Sequence, residues 1–559
     1  MRVQINRVMV VVSATLCMCA ACGLEDVEYD RATTHIEGTN PKRFVDGMGI
    51  AWGSQWSQLT TQPDREEWDR VNLVKIATAG ATSTNLSFDW INIQPNSRTA
   101  YDWSYVDNQV VQAEKRGLEM FAYTGNTPGW ALATRFADPD VARCSGKPNN
   151  PLFPPGENAQ GISDFNLFYQ TLSARYCGRV KYYEFWNEPN GCWWMSCGCG
   201  DQTAEQKAEY ARWLKRWYLA MKQGCPDVVL SVGGLDCAWG GNAGAGTTYC
   251  VNWLEELYVN GGGSYFDAVA LHPYGYDSDL QDALVNNKTL NWNVIDGVTS
   301  LLASQGQAAK NLWLSEWGFM TSDDVLKGQL VQATLNALLA PTQYLNVFRA
   351  KYLAITDLPN GQVWGLADSS TTAPFTVTPR GSWRKFRDVA IGPDTQRLLL
   401  DNPGMEFSGV SPTPEHSAIW GWGPDGRWAS HLSFPRSRDG VLGRNFGYYD
   451  AGNNETVGQV LDVTYQPDRT YTFQASVHGG LDNAGTLPFE FGYQSSTGEF
   501  VLLRRRVVTL GSTWVDRDAS YNTPSSGVPI GQKIWVRFGT GGSTDAWFDN
   551  LNLTVSPPH

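Results

Sequence analysis

From about residue 43 to about residue 395, the chain alternates short apolar runs with longer stretches whose apolar residues recur three or four positions apart. The short runs read as strands: Phe44–Gly49, Leu73–Ala77 with Thr84–Phe88 close behind, Leu118–Tyr123, Val180–Trp186, Val228–Val232, Phe266–Leu271, Leu312–Ser315 and Tyr352–Thr356. The stretches between them read as helices. Val106, Val110, Val111 and Ala113 precede a terminating Gly117, and Ala204 to Lys222 sets Tyr210, Trp213, Leu214 and Trp217 on one face. Repeated βα units predict a parallel (β/α)8 barrel, an α/β fold, over residues 43–395. Beyond that point helical periodicity stops. Tyr471–Val477, Phe489–Tyr493, Phe500–Val508, Lys533–Phe538 and Ala546–Val555 alternate as short strands, with turn signals at Asp482-Asn483, Ser496-Thr497-Gly498 and Gly541-Gly542. Residues 396–559 therefore read as an all-β sandwich.

The N-terminus has a different texture. Arg2 and Arg7 precede an apolar run from Val8 to Leu16, and Ala20-Ala21-Cys22-Gly23 follows. This predicts an export signal over residues 1–21 and a polar tether over 22–42. Ala-Ala-Cys-Gly resembles a bacterial lipoprotein cleavage site, which would make Cys22 the lipidated first residue, although Cys19 stands where an aliphatic residue is usual. Plain secretion is the alternative. Localisation is accordingly expected to be an outer-membrane or cell-surface lipoprotein, or else periplasmic or secreted. Eight further cysteines (Cys144, Cys177, Cys192, Cys197, Cys199, Cys225, Cys237 and Cys250) imply up to four disulfides of undetermined connectivity.

Charge and aromatic content narrow the partner. A net charge of −13 argues against nucleic acid or an anionic membrane surface, leaving a membrane role only through the N-terminal lipid. The 24 tryptophans suit either sugar stacking or a Trp-rich core. The six histidines include no metal-ligand pair, so neither a metal nor another cofactor is expected.

Two strand ends carry the chemistry. Tyr183-Glu184-Phe185-Trp186-Asn187-Glu188-Pro189 stops at a proline, which removes a ladder donor and leaves Glu188 at the strand tip. Asn311-Leu312-Trp313-Leu314-Ser315-Glu316 ends likewise on a glutamate. A parallel barrel keeps its active site at these ends, and two carboxyl groups there suggest glycosidase-type acid–base chemistry.

Phe185-Trp-Asn-Glu-Pro189, Leu271-His-Pro-Tyr274 and Leu314-Ser-Glu-Trp-Gly318, in that order, resemble the retaining barrel glycosidases of glycoside hydrolase clan A. Phe88–Pro95, Tyr101-Asp-Trp103 and Tyr123–Ala131 look most like family 39, with family 5 next. The resemblance implies Glu188 as acid/base, Glu316 as nucleophile, Asn187 on the sugar 2-hydroxyl, and His272 and Tyr274 orienting Glu316 or holding hydroxyls. It further implies double displacement on a β-linked poly- or oligosaccharide. A transglycosylase with the same residues, or a non-catalytic glycan-binding protein on a decayed barrel, are the alternatives. Asp545–Val555 resembles the last strand of jelly-roll carbohydrate-binding modules.

Loops are expected to set the substrate. Trp193 and Trp194, in the Cys-rich stretch after Glu188, read either as stacking platforms or as an inward-packed lid. Cys237 to Cys250 reads as a stapled loop, and Trp317 and Trp364 as candidate floors of the sugar site. In the sandwich, Trp420, Trp422, Trp428, Tyr448 and Tyr449 read as core or as a binding face. One departure from the clan stands out: Asn85 occupies the strand-two position where an arginine is expected, which leaves Lys75 or Lys351 to support Glu316.

Overall fold

The structure, a computed structural model, describes residues 48–50, 62–132, 152–191, 194–195, 202–237, 249–275, 280–286, 288–340, 346–358, 361–370, 375–393, 395–398, 400, 423–424, 427–430, 445–449, 456–480, 484–539, 541–542 and 545–557. The export signal, Cys22, the tether, Trp193, Cys144, Cys192, Cys197, Cys199, Trp420 and Trp422 lie outside the described residues, as do the side chains of Trp428, Tyr448 and Tyr449.

Eight parallel strands close a barrel: β1 Met48–Ile50, β2 Ser83–Ser87, β3 Glu119–Thr124, β4 Tyr182–Asn187, β5 Val229–Asp236, β6 Ala268–His272, β7 Asn311–Trp317 and β8 Val347–Tyr352. β1 completes the ring by pairing with β2 through Gly49 and Ser83, and with Ala350–Tyr352 of β8. Strand alternation divides the side chains between two environments. Leu230, Val232, Leu271, Leu312 and Leu314 join the helix residues Phe165, Tyr169, Trp213 and Trp217 in one large core. Phe121, Tyr182, Ala268, Ala270 and Trp313 form a separate apolar plug inside the barrel.

The same inward parity then places Asn85, Glu184, His272 and Ser315 one layer nearer the C-terminal mouth, together with Lys351, whose ammonium lies 3.5 Å from the Phe121 ring centroid. A buried plug under a polar layer is the arrangement that fixes side chains at a barrel mouth.

Two expected strands are corrected. Leu73–Ala77 belongs to a helix, Gln62–Thr78, because Leu73, Ile76 and Ala77 recur at helical spacing and are all buried on one side. The eighth strand is Val347–Tyr352 rather than Tyr352–Thr356; its alternation is masked by inward Arg349 and Lys351.

The helix Ala204–Gly224 behind β4 starts with a full capping box between Thr203 and Gln206, a feature worth about 1 kcal/mol. Cys177–Cys225 links the C-terminal ends of this helix and of Ala159–Arg175. Cys237–Cys250 closes the expected stapled loop after β5.

After the helix Gly381–Ile391, Gln396–Leu398 pairs antiparallel with Leu553–Val555 of the sandwich. The sandwich has two antiparallel sheets, built around Thr470–His478 with Ala546–Ser556 and around Lys533–Phe538 with Gly485–Gln494. Phe473, Phe489, Phe538 and Phe548 meet between them.

Candidate active site

Glu188 reaches the barrel mouth because the backbone leaves its pleat just before it. Trp186 has φ 71° and Glu188 has φ 43°, left-handed conformations that cost a side-chain-bearing residue on the order of 1 kcal/mol each. Several bonds hold this tip. Glu188 N–H donates to the Gly234 carbonyl at 3.0 Å, and Gly191 N–H to the Glu188 carbonyl at 2.9 Å. The buried Asn190 amide donates to the Asp236 carbonyl and accepts from the Asp236 N–H, both at 2.8 Å. Tyr249 donates to the Asn190 carbonyl, and the Gln202 amide to that of Pro189. The acid tip is thereby bolted to the end of β5 and, through Tyr249, to the start of the helix Tyr249–Val259.

His272, on β6, is 1% exposed and joins the two carboxyl groups. Its Nδ1 lies 2.9 Å from Glu188 Oε1 and 3.4 Å from Glu316 Oε2. One oxygen of each glutamate and this nitrogen all lie within 4.8 Å of one another. Tyr274 donates from its hydroxyl to Glu316 Oε2 at 3.0 Å. Half-buried Trp364 stands against Tyr274, with ring centroids 5.5 Å apart.

The site is electrostatically coupled. Burial pushes the Glu316 carboxyl up to about 7; the His272 charge pulls down against it, Glu188 adds to the rise, and the Tyr274 hydrogen bond opposes it. His272 goes up to about 9: burial disfavours its charge, but Glu316, Glu188 and Glu184 together overcome that. The geometry thus places the His272 ring between the two carboxyl groups, whose charges favour its protonated form.

The structure brings together Glu188, Glu316, His272, Tyr274 and Trp364. Asn187 ends β4 next to them, half-buried, and its side chain has no hydrogen-bond partner among the described residues. Two tryptophans lie away from the mouth, Trp194 in line with the second of its two readings and Trp317 against its expected place in the sugar-site floor. Trp194 is fully buried against Trp186 and Tyr210, and its Nε1–H donates to the Gln206 carbonyl at 3.1 Å, so it packs as an inward lid. Trp317 is also fully buried, 5.1 Å from Tyr352. An irregularity in the β7–β8 pairing between Leu314 and Trp317 turns Trp317 to the outer core and Glu316 to the mouth.

The strand-two departure has a structural outcome. Asn85 donates its amide to the Ser315 carbonyl at 3.0 Å, directly before Glu316. Lys75 lies on the helix Gln62–Thr78, and Lys351 lies inside the barrel. Sequence reasoning missed Asn190 and Glu184. The only signal for Glu184 was a charged residue of inward parity within an aromatic strand.

The Glu188, His272 and Glu316 donor atoms are close enough to approach a cation. They already satisfy one another and Tyr274, and we read them as an acid–base cluster.

No family model matches the chain, and no curated protein matches it. Among solved structures it is similar to a family 39 glycoside hydrolase from the gut symbiont Bacteroides cellulosilyticus WH2, at 14% identity and TM-score 0.44 over 90% of this chain and 82% of that one. It is similar to a hyperthermophilic beta-glucosidase mutant at 13% identity and TM-score 0.45, over 62% of this chain and 100% of that one. A cyclase from Fischerella sp. TAU aligns at 16% identity and TM-score 0.25, over 30% of this chain and 99% of that one. With identities this low and TM-scores below 0.5, nothing about the chemistry of this site follows from them.

Proposed function

We propose that this protein is a retaining glycoside hydrolase acting on β-linked poly- or oligosaccharide. The observation that carries the reading is the approach of Glu188 and Glu316, with an oxygen of each within 4.8 Å at the mouth of a parallel barrel. Retaining hydrolysis needs carboxyl groups about 5–5.5 Å apart, whereas inverting hydrolysis leaves about 6.5–9.5 Å for a water.

In the first step a Glu316 oxygen attacks the anomeric carbon while the glycosidic C–O bond breaks and Glu188 gives its proton to the leaving oxygen. Water then attacks the glycosyl-enzyme; Glu188 takes its proton, and Glu316 departs as carboxylate. The Tyr274 hydroxyl, donating to Glu316, favours the ionised nucleophile. In this reading Asn187, with its amide unengaged by the described residues, meets the sugar 2-hydroxyl, and Trp364 stacks on a ring face.

Export with lipidation at Cys22, and a sandwich that binds glycan, complete the reading. Purified protein incubated with xylans, glucans, mannans, arabinans and galactans, followed by mass and anomer analysis of products, tests it. Reducing ends released with retained configuration support it; no turnover on any panel member, with binding intact, favours the glycan-binding alternative.

A further inference from the structure

Glu184 lies four residues before Glu188 on β4, 4% exposed inside the barrel, and no step above uses it. Lys351 on β8 is fully buried. Its ammonium stands 3.5 Å from the centroid of the Phe121 ring, at the top of the apolar plug, and has no hydrogen-bond partner among the described residues. Gly49 makes this possible, since a Cβ there would lie 2.6 Å from Lys351 Cγ. One layer further from the mouth, Arg349 and Glu119 are occupied with each other at 2.6 Å. A buried ammonium on an aromatic face requires a counter-charge, and in this layer the carboxyl group is that of Glu184.

We propose that Lys351 and Glu184 form a buried positioning pair: Lys351 keeps Glu184 ionised, and ionised Glu184 keeps His272 protonated between Glu188 and Glu316. The pair supplies from within the barrel the positive bias that Asn85, a neutral side chain, does not provide. This rests on the reading of Glu188 and Glu316 as the catalytic pair.

The surrounding charges are few. Glu184 is under the charge of Lys351 and His272 and acts on Tyr210; His272 is under that of Glu316, Glu188 and Glu184; Glu316 interacts with His272, Glu188, Tyr274, Glu184, Lys351 and Tyr123. Burial raises the Glu184 carboxyl and lowers the Lys351 ammonium to about 8, and each group is the main influence opposing the other's shift.

The test follows the His272 imidazole by NMR through a pH titration of the full chain, with His272→Asn identifying its signal among the six histidines. In the wild type the midpoint is expected well above the ordinary value of about 6.5. Glu184→Gln is expected to lower it by roughly one pH unit, a tenfold loss of proton affinity. Lys351→Met is expected to lower it as well, because Glu184 then takes up a proton. The double variant falls no further than the lower single variant. A wild-type midpoint at or below the ordinary value, or one unmoved by Glu184→Gln, overturns the pair, and Lys351→Met supplies the same reading if Glu184→Gln fails to fold. The readout needs no turnover, so failure of the glycosidase reading and failure of the pair are separately visible.

Discussion

Gly234 and His272 compete for one space: a Cβ on Gly234 would lie 2.1 Å from His272 Nε2. β5 therefore carries a glycine at this point so that the imidazole can sit between the two glutamates. Gly234→Ala is expected to push the ring from its place, lowering kcat/KM by about 10–100-fold, with a stability loss of about 1–3 kcal/mol from overpacking. Gly191→Ala is the control, since its Cβ would meet Asp236 Oδ2 at an ordinary 3.5 Å. Equal losses in both variants would contradict the steric account.

Glu316 must be ionised to attack, and its carboxyl is raised to about 7. The rate constant kcat/KM is therefore expected to climb as pH rises through about 7. Tyr274→Phe removes a donor to the ionised form, so the carboxyl rises further and the acidic limb shifts to higher pH. A pH–rate profile of wild type and variant checks both; an acidic limb that stays in place in Tyr274→Phe would count against Glu316 as the titrating group.

Asn190→Ala removes the two 2.8 Å bonds to the Asp236 backbone and leaves a buried N–H and carbonyl unmatched. The expected cost is about 2–3 kcal/mol in chemical denaturation, with kcat falling more than KM rises, because the Glu188 tip loses its anchor. Unchanged stability would mean that the end of β5 does not hold the tip.

Chelation offers a separate check on the cluster of Glu188, His272 and Glu316. Prolonged treatment with EDTA followed by desalting is expected to leave kcat unchanged. Activity lost on chelation and restored by a divalent ion would replace the acid–base reading with a metal-assisted one.

What the sequence disclosed and what it hid follow from the same strand physics. Glu188 and Glu316 were legible because each ends an apolar run, and ends of parallel strands gather at one mouth. Period-two alternation from inward Trp313 would turn Trp317 inward as well; the irregularity near Glu316 inverts that order and leaves no mark in residue type. Asn190 drew no reading from the sequence, since its meaning lies in the Asp236 backbone, far along the chain. Leu73–Ala77 failed for a local reason: five residues with four apolar ones suit both periods, and only the preceding turns of Gln62–Thr78 decide between them. In the sandwich, Val515–Asn522 escaped notice because its sequence is mostly polar and its strand lies at a sheet end.

The most direct measurement takes Glu316→Gly with an activated β-glycoside, on which slow acid assistance is not limiting, and adds sodium azide. The account predicts that the variant loses at least about a thousandfold in kcat, and that azide restores turnover by entering the space of the missing carboxylate to give the α-glycosyl azide. Full activity in Glu316→Gly, or rescue that yields only the β-azide, would contradict Glu316 as the nucleophile of a retaining pair.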